Sequence, residues 1–450
     1  MFNQILQYSR AEKNKIVLFA FILLGLSLIL YVWYFGVNII YQDEWSFVNL
    51  VRQHKSNGLS ISDLFTPHNE HRIFFPRLFY IIMLPISDMN SKFFMFVNAI
   101  LVIVEFICIF SVAKKQYHFS YSKIPVWLII IPLFVFSLRQ SRNLLWGFQI
   151  AFYMTLIASI ISLYFIEKLF SKDKVNKSNF ILAIVFAIIA TFSSGIGFLV
   201  WIGGFVQLGI KMISLKSRSH YIFGVIWLTI GVSAFFIYIT GLDNSVSEKI
   251  IAALKNPIDF LHFFFALISL TSVHFLSKFA FIIGSVLFSV SVYIFYKAYK
   301  MNRLANNSFW VAIYVFSILF AVLTTLGRFE LSFEFSDRAR YTIFTNLYII
   351  ATFCVAYDLF NNRNFNNKFF KLLFISLVLL AIELNGIGIF HGYMTKTERK
   401  LIKEVVLNYQ TTPVSQGLKN ISSWLPDKYL VIVDEVTPFL DENHFNAFKP

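Results

Sequence analysis

Long apolar runs recur along the chain, and within them no face is polar at helical or strand spacing. Uninterrupted runs of this kind predict membrane-spanning helices, which need about 20 mostly apolar residues. A transmembrane barrel would instead alternate apolar and polar residues. Eleven segments fit: Ile16–Val37, Phe93–Val112, Ile124–Leu138, Leu145–Ile166, Phe180–Phe192, Gly195–Met212, Tyr221–Thr240, Phe279–Tyr296, Phe309–Leu326, Tyr341–Tyr357 and Leu372–Phe390. Two further pieces, Phe74–Ile86 and Ile258–Phe275, are read as interfacial or re-entrant helices on one side. The fold class is therefore all-α and polytopic, with about 11 crossings plus two such pieces.

With both pieces kept on one side, the basic residues sort themselves. Arg10/Lys13/Lys15, Lys114/Lys115/Lys123, Lys168/Lys172/Lys174/Lys177, Lys211/Lys216/Arg218, Lys297/Lys300/Arg303 and Arg363/Lys368/Lys371 all fall at the same end. Short cytoplasmic loops carry such an excess of Lys and Arg, so the N-terminus is placed inside and the C-terminus outside. The organisation expected is a bundle over residues 1–392 with a long first outer loop, 38–92, and a small outer segment, 393–450. In that segment Thr395–Tyr409 reads as an amphipathic helix and Leu430–Val433 as one short strand.

Composition agrees. Of 450 residues 57% are hydrophobic and 14% charged, against about 25% charged in soluble domains. The net charge of +15 would suggest nucleic acid in a soluble protein, but here it follows from the lysine-rich inner loops, and no nucleic-acid partner is inferred. Cys108 and Cys354 lie inside apolar runs and build neither a disulfide framework nor a zinc cluster. The first apolar run is too long for a signal-peptide core and is read as a retained helix.

The outer loops carry what a purely structural bundle would not need. The first opens with Tyr41-Gln42-Asp43-Glu44-Trp45 and closes with His68-Asn69-Glu70-His71-Arg72, then Pro76-Arg77. Later come Arg139-Gln140-Ser141-Arg142-Asn143 with Trp146 and Gln149, then Ser193-Ser194-Gly195-Ile196-Gly197, Gly327-Arg328 and Asp337-Arg338-Ala339-Arg340. The cations here are mainly arginine, whose planar fork grips phosphate or carboxylate in two places. Arg72, Arg139, Arg142, Arg338 and Arg340 are candidate phosphate ligands, the competing reading being ion pairs with Glu330, Glu334 and Asp337 or contacts with lipid. Asp43 or Glu44 would serve as a general base, or Asp43 as the N-cap of a helix running Glu44 to Gln53. His68 and His71, one helical turn apart, would bind a divalent metal with Asp43, or form a hydrogen-bonded pair. Trp45 and Trp146 are candidate sugar platforms, with His68, Glu70 and His71 as further substrate contacts. Glu105 and Glu383, both inside apolar runs, are either functional or neutral buried acids.

A first helix, a long outer loop opening on an acidic pair, and a multi-helix bundle resemble the GT-C superfamily of membrane glycosyltransferases. The runs Gln42-Asp43-Glu44-Trp45, His68-Asn69-Glu70-His71-Arg72 and Arg338-Ala339-Arg340-Tyr341 are also similar to a group of bacterial membrane proteins of this architecture. The Phe/Ile/Asn/Lys-biased composition is similar to enterobacterial O-antigen-modifying enzymes, including serotype-converting glucosyltransferases. The chain has no W-W-D run and no large soluble C-terminal domain, unlike oligosaccharyltransferases. The resemblance implies a GT-C-like fold and Asp43 or Glu44 as catalytic carboxylate. It also implies transfer of a sugar from a polyprenyl-phosphate carrier to a glycan or lipopolysaccharide acceptor at the periplasmic face of the bacterial inner membrane. An O-antigen polymerase or ligase and a polytopic transporter are the alternatives; the absence of an internal repeat and the one-sided polar clusters favour an enzyme.

Overall fold

The computed structural model describes residues 2–119, 124–171, 174–215, 221–242, 246–269, 273–330, 339–362, 366–421 and 427–449, with side chains from 17 onward except 171, 174, 215, 246–247, 273–278, 427–429 and 431. The described chain is almost wholly helical. In order the helices are α1 (Phe2–Phe35), α2 (Trp45–Asn57), α3 (Ile61–Phe65), α4 (Phe74–Ser87), α5 (Ser91–Gln116), α6 (Ile130–Val135), α7 (Ser141–Leu144), α8 (Ile150–Leu169), α9 (Lys177–Thr191) and α10 (Leu199–Leu215). Then follow α11 (Tyr221–Ile239), α12 (Val246–Lys255), α13 (Pro257–Ile268), α14 (Val273–Lys300), α15 (Ser308–Arg328), α16 (Thr342–Asn361), α17 (Asn367–Leu407), α18 (Val414–Ile421) and α19 (Asp427–Glu442). A two-residue ladder, Phe170–Ser171 with Lys174–Val175, ties the turn after α8. Asparagine begins three of the long helices: Asn90, Asn176 and Asn366 each accept a backbone N–H of the first turn.

Among the described residues, nine helices are long and apolar enough to cross a membrane, or ten if the pair α12–α13, bent by 100°, counts as one span. This is a multi-pass membrane protein. The nine coincide with nine of the eleven expected spans; the other two take different forms. Ile124–Leu138 is not one helix. Pro125 and Pro132 remove backbone donors, and the segment is built from short 3₁₀ turns at Val126–Ile129 and Leu138–Gln140 flanking the six-residue α6. It still passes from end to end of the bundle. Trp127 packs on Phe370 of α17, while the Leu138 amide donates to Asn385 Oδ1 at 3.0 Å, about 22 Å further along that helix at 1.5 Å per residue. The 3₁₀ turns help, because they rise about 2 Å per residue. The second, α9, is a helix of only 15 residues.

The central element is α16, in which every residue from Thr342 to Leu359 is buried; a helix apolar on all faces belongs in the interior. Its Asp358 meets Arg303 in a two-pronged pair at 2.9 and 2.7 Å and accepts from Asn307 at 2.9 Å. At the same end, Glu167 of α8 accepts from Lys211 at 2.6 Å and Ser308 at 2.8 Å. Where α13 crosses α14, the Phe265 carbonyl sits against Gly284, where a Cβ would collide with it.

The opposite end carries a second hydrophobic core, which reaches from the ends of α5 and α8 into the segments beyond the bundle. Val48 and Val51 of α2, Leu84 of α4, Ile402 and Val406 of α17, Leu418 of α18, and Val433, Val436 and Leu440 of α19 form it. Two expectations change here. The amphipathic piece Thr395–Tyr409 is mostly the last turns of the 41-residue α17, which runs unbroken out of the bundle through residue 392. The expected strand Leu430–Val433 lies within α19. Four apolar residues cannot reveal a period, whereas buried Val433, Val436 and Leu440 recur at helical spacing. The first outer loop and the C-terminal segment thus share one core, and Asn446 of the tail is buried against Asn38, Met89 and Ser91.

Candidate functional site

Between the end of α1 and the start of α2 the chain turns sharply. Tyr41 is extended, Gln42 takes a left-handed φ of 46°, and Gln42–Glu44 form one 3₁₀ turn. The Trp146 indole fixes this turn by donating to the Tyr41 carbonyl at 3.1 Å. The turn sends its two acids in different directions. Asp43 faces a cavity. Glu44 is fully buried behind the wall, packed against Gly147, where any Cβ would strike its carboxylate. Burial pushes its carboxyl up to about 7, opposed by Ser91 and by the Arg399 guanidinium. The helix that follows starts at Trp45, with Glu44 at its N-cap position and no side chain capping it, so the capping role considered for Asp43 is not used. Trp45 itself is 1% exposed and belongs to the second core. It does not line the cavity, so the sugar-platform role expected of it is not available.

His68-Asn69-Glu70-His71 is a tight turn, not a helical one. His68 N–H donates to the His71 carbonyl at 2.7 Å and the reverse bond is 3.0 Å, with Asn69 left-handed at φ 54°. The turn sets His68 Nε2 3.7 Å from Asp43 Oδ1, an ion-pair distance longer than a hydrogen bond, and the ring against Phe148. His71 lies instead against Gly195, whose missing Cβ leaves room for the imidazole and the Tyr238 hydroxyl. Burial lowers the His71 pKa, with the positive charge of Arg328 adding to it and Glu70 opposing. Burial pushes the Glu70 carboxyl up, but its own backbone N–H, His71 and Arg328 outweigh that and hold it below the usual value. The metal expectation finds no support in this arrangement. His68, His71 and Asp43 do not converge, and among the described residues no three His, Cys, Asp or Glu side chains are placed to hold an ion.

These pieces surround one cavity of about 260 Å³, open on one side and lined by Asp43, His68, Glu70, His71, Trp146, Phe148, Gln149, Arg328, Arg340 and Lys249 among others. Arg340 is set by Asn143, which donates to its carbonyl at 2.7 Å, and its guanidinium donates to the Tyr341 hydroxyl at 2.9 Å. Three cations face two carboxylates here, so the cavity favours an anion. Its rim includes Leu323, 49% exposed on the outer surface of α15. The site therefore joins a polar interior to the apolar flank of the bundle.

No protein family, curated protein or solved structure matches this chain.

The arginines expected to act together divide. Arg340 lines the cavity. Arg72 does not: its guanidinium is spent on the carbonyls of Phe65, Tyr238 and Thr240 and stacks on the Phe65 ring, which staples the first loop to α11. Arg139 is fully buried beneath the site beside His391, at 3.4 Å, and Arg142 lies near Tyr41 and Arg399; neither lines the cavity. Arg338, with Glu334 and Asp337, lies outside the described residues. Of the two intramembrane acids, neither Glu105 nor Glu383 reaches the cavity. Sequence reading missed Lys249 and Phe148 as lining residues and Arg399 as the charge nearest Glu44. Lys249 had no signal, being one of many outer-side lysines away from the arginine-rich motifs. Arg399, near the start of an amphipathic stretch, had none either.

Proposed function

We propose that this protein is a lipid-dependent membrane glycosyltransferase, moving a sugar from a polyprenyl-phosphate carrier to a glycan or lipopolysaccharide hydroxyl at the periplasmic face of a bacterial inner membrane. The observation that carries the reading is the convergence of Asp43, His68, Arg328 and Arg340 on one cavity whose rim meets the lipid-facing side of α15. In this scheme Asp43 takes the proton of the acceptor hydroxyl, with His68 holding the carboxylate in place. The freed oxygen bonds to the anomeric carbon as the bond from that carbon to the carrier phosphate oxygen breaks. The leaving phosphate gains negative charge, which Arg340, Arg328 and Lys249 offset. Trp146 and Phe148, stacked with ring centroids 5.7 Å apart, offer the flat apolar wall that a sugar ring packs against. Placing the lysine-rich loops in the cytoplasm puts this end of the bundle outside.

The test is a transfer assay in membranes holding the full-length protein, supplied with radiolabelled polyprenyl-phosphate sugars and lipopolysaccharide. Wild type should label the glycan, and Asp43→Asn at equal protein level should lose about 100-fold or more of the rate, as removal of a general base does. Equal transfer by Asp43→Asn overturns the role of that residue. Absence of transfer by folded wild type from every donor, with activity on lipid-diphosphate-linked glycans instead, would favour a polymerase or ligase.

A further inference from the structure

At the end of the bundle opposite the candidate site lies a second cavity, of about 630 Å³, among the last turns of α5 and α8 and the ends of α10 and α16. Four cations line it, Lys115, Lys168, Lys211 and Arg303, with two carboxylates, Glu167 and Asp358. The carboxylates are already matched: Lys211 is 2.6 Å from Glu167, and Arg303 is 2.7 Å from Asp358. Lys115 and Lys168 have no carboxylate within ion-pair reach among the described residues, and the Lys168 ammonium rests 4.1 Å from the centre of the Tyr164 ring. Among the described residues two charges of this pocket thus face no carboxylate. The two partly buried pairs hold its walls in place.

An apolar groove of about 330 Å³ adjoins this cavity, between α1 and α5, and Ser111 lines both. Phe21, Gly25, Ile29, Phe106 and Phe110 form its floor and sides. From Leu18 to Ile29 it follows α1 for about 17 Å, close to the depth of one leaflet of a hydrocarbon core about 30 Å thick. Gly25 keeps it open, since a Cβ there would meet only the edge of the Phe136 ring. A charged chamber and an apolar groove of leaflet depth that meet at Ser111 match one lipid, head and tail.

We propose that this is a binding site for one anionic phospholipid, its phosphate between Lys115 and Lys168 and one acyl chain along the α1–α5 groove. Basic pockets between membrane helices are known to take anionic head groups, and a lysine ammonium serves phosphate as a point charge. The site is independent of the transfer reaction proposed above. It would tie folding of the bundle to the charge of the adjoining leaflet.

The experiment measures thermal unfolding of full-length protein in detergent, titrated with phosphatidylglycerol, phosphatidylcholine or glycerol phosphate. Native mass spectrometry counts the lipids retained. Phosphatidylglycerol should raise the midpoint with one molecule bound, and phosphatidylcholine should not. Lys115→Gln with Lys168→Gln should weaken that response about 25-fold, from about fivefold per lysine facing anionic lipid, and the Lys→Arg pair should keep it. Gly25→Leu should weaken it while leaving the preference for phosphatidylglycerol. Equal stabilisation by both lipids, or an undiminished response in the Gln pair, overturns the proposal. So does a full response to glycerol phosphate, which would make the ligand a free anion.

Discussion

Replacing Glu44 by Gln should stabilise the protein at alkaline pH and leave it unchanged near pH 4.5. The carboxyl is completely buried outside the membrane-spanning part, and folding raises its pKa from 4.5 to about 7, with loss of hydration as the main cause. The sign follows from proton affinity. The folded state holds this proton more tightly than the unfolded chain, so the advantage is complete below 4.5 and is lost as pH climbs through about 7. At about 1.4 kcal/mol per pH unit, the wild type at pH 8.5 carries a cost of about 3 kcal/mol that the neutral amide avoids. The assay is unfolding of both proteins in detergent from pH 4.5 to 8.5. His71, whose lowered pKa makes stability rise with pH, is common to both and cancels in the difference. A flat difference across that range refutes the account. A difference of the opposite sign would mean that Glu44 is ionised and stabilised by Arg399.

Other substitutions separate architecture from chemistry. Arg303→Ala should cost about 3 kcal/mol in unfolding measurements, the low end for breaking a buried pair, because Asp358 is 5% exposed but the Arg303 side chain is 24% exposed; adding Asp358→Asn should recover part of it. Gly284→Ala should cost about 1–3 kcal/mol through its clash with the Phe265 carbonyl. Gly209→Ala, with nothing within 4 Å of the added carbon, should be neutral or stabilise by up to about 1 kcal/mol; equal effects at the two positions would sink the packing argument. Arg72→Ala should lower the yield of folded protein in size-exclusion profiles, whereas Arg340→Ala should fold normally and lose sugar transfer in the membrane assay.

Much of this protein was legible from its sequence because lipid makes strict demands. Nine spans could be placed since a helix in lipid needs an unbroken apolar run of fixed length. Ile124–Leu138 misled because hydropathy registers apolar side chains and not the backbone, where two prolines force short turns in place of a helix. Leu430–Val433 misled for a related reason: the residues that complete its helical period, Val436 and Leu440, lie beyond the run. The second core was invisible because it joins segments nearly 400 positions apart, as in the contact of Arg52 with Glu435 at 2.9 Å. Asp43, His68, Glu70, His71, Trp146 and Arg340 were expected together from residue type and side of the membrane, and all six line one cavity.

The division among the arginines shows what residue type can and cannot predict. Arg72 shares the sequence features that marked Arg340, being outer-face, near His or Tyr, and in a polar run, and Arg77 shares the first two. Yet each sits beside a loop with unpaired carbonyls: Arg77 donates to the carbonyls of Leu64 and Thr66 as Arg72 does to those of Phe65, Tyr238 and Thr240. A buried carbonyl left without a donor is costly, and a guanidinium with five N–H groups can satisfy several at once. The first loop, which carries Asp43 and the His68–His71 turn, has little regular structure from Ser60 to Ile73 beyond the five-residue α3. It is the segment most in need of such donors. Arg72, and Arg77 from the first turn of α4, are therefore consumed in holding this segment, and the guanidinium and ammonium groups left to face the cavity come from the bundle: Arg328 from the end of α15, Arg340 from the turn before α16, and Lys249 from α12. On this argument the loop supplies the carboxylate and the imidazoles while the bundle supplies the cations. A change that loosens the loop should then lower the rate through Asp43 without weakening the hold on phosphate.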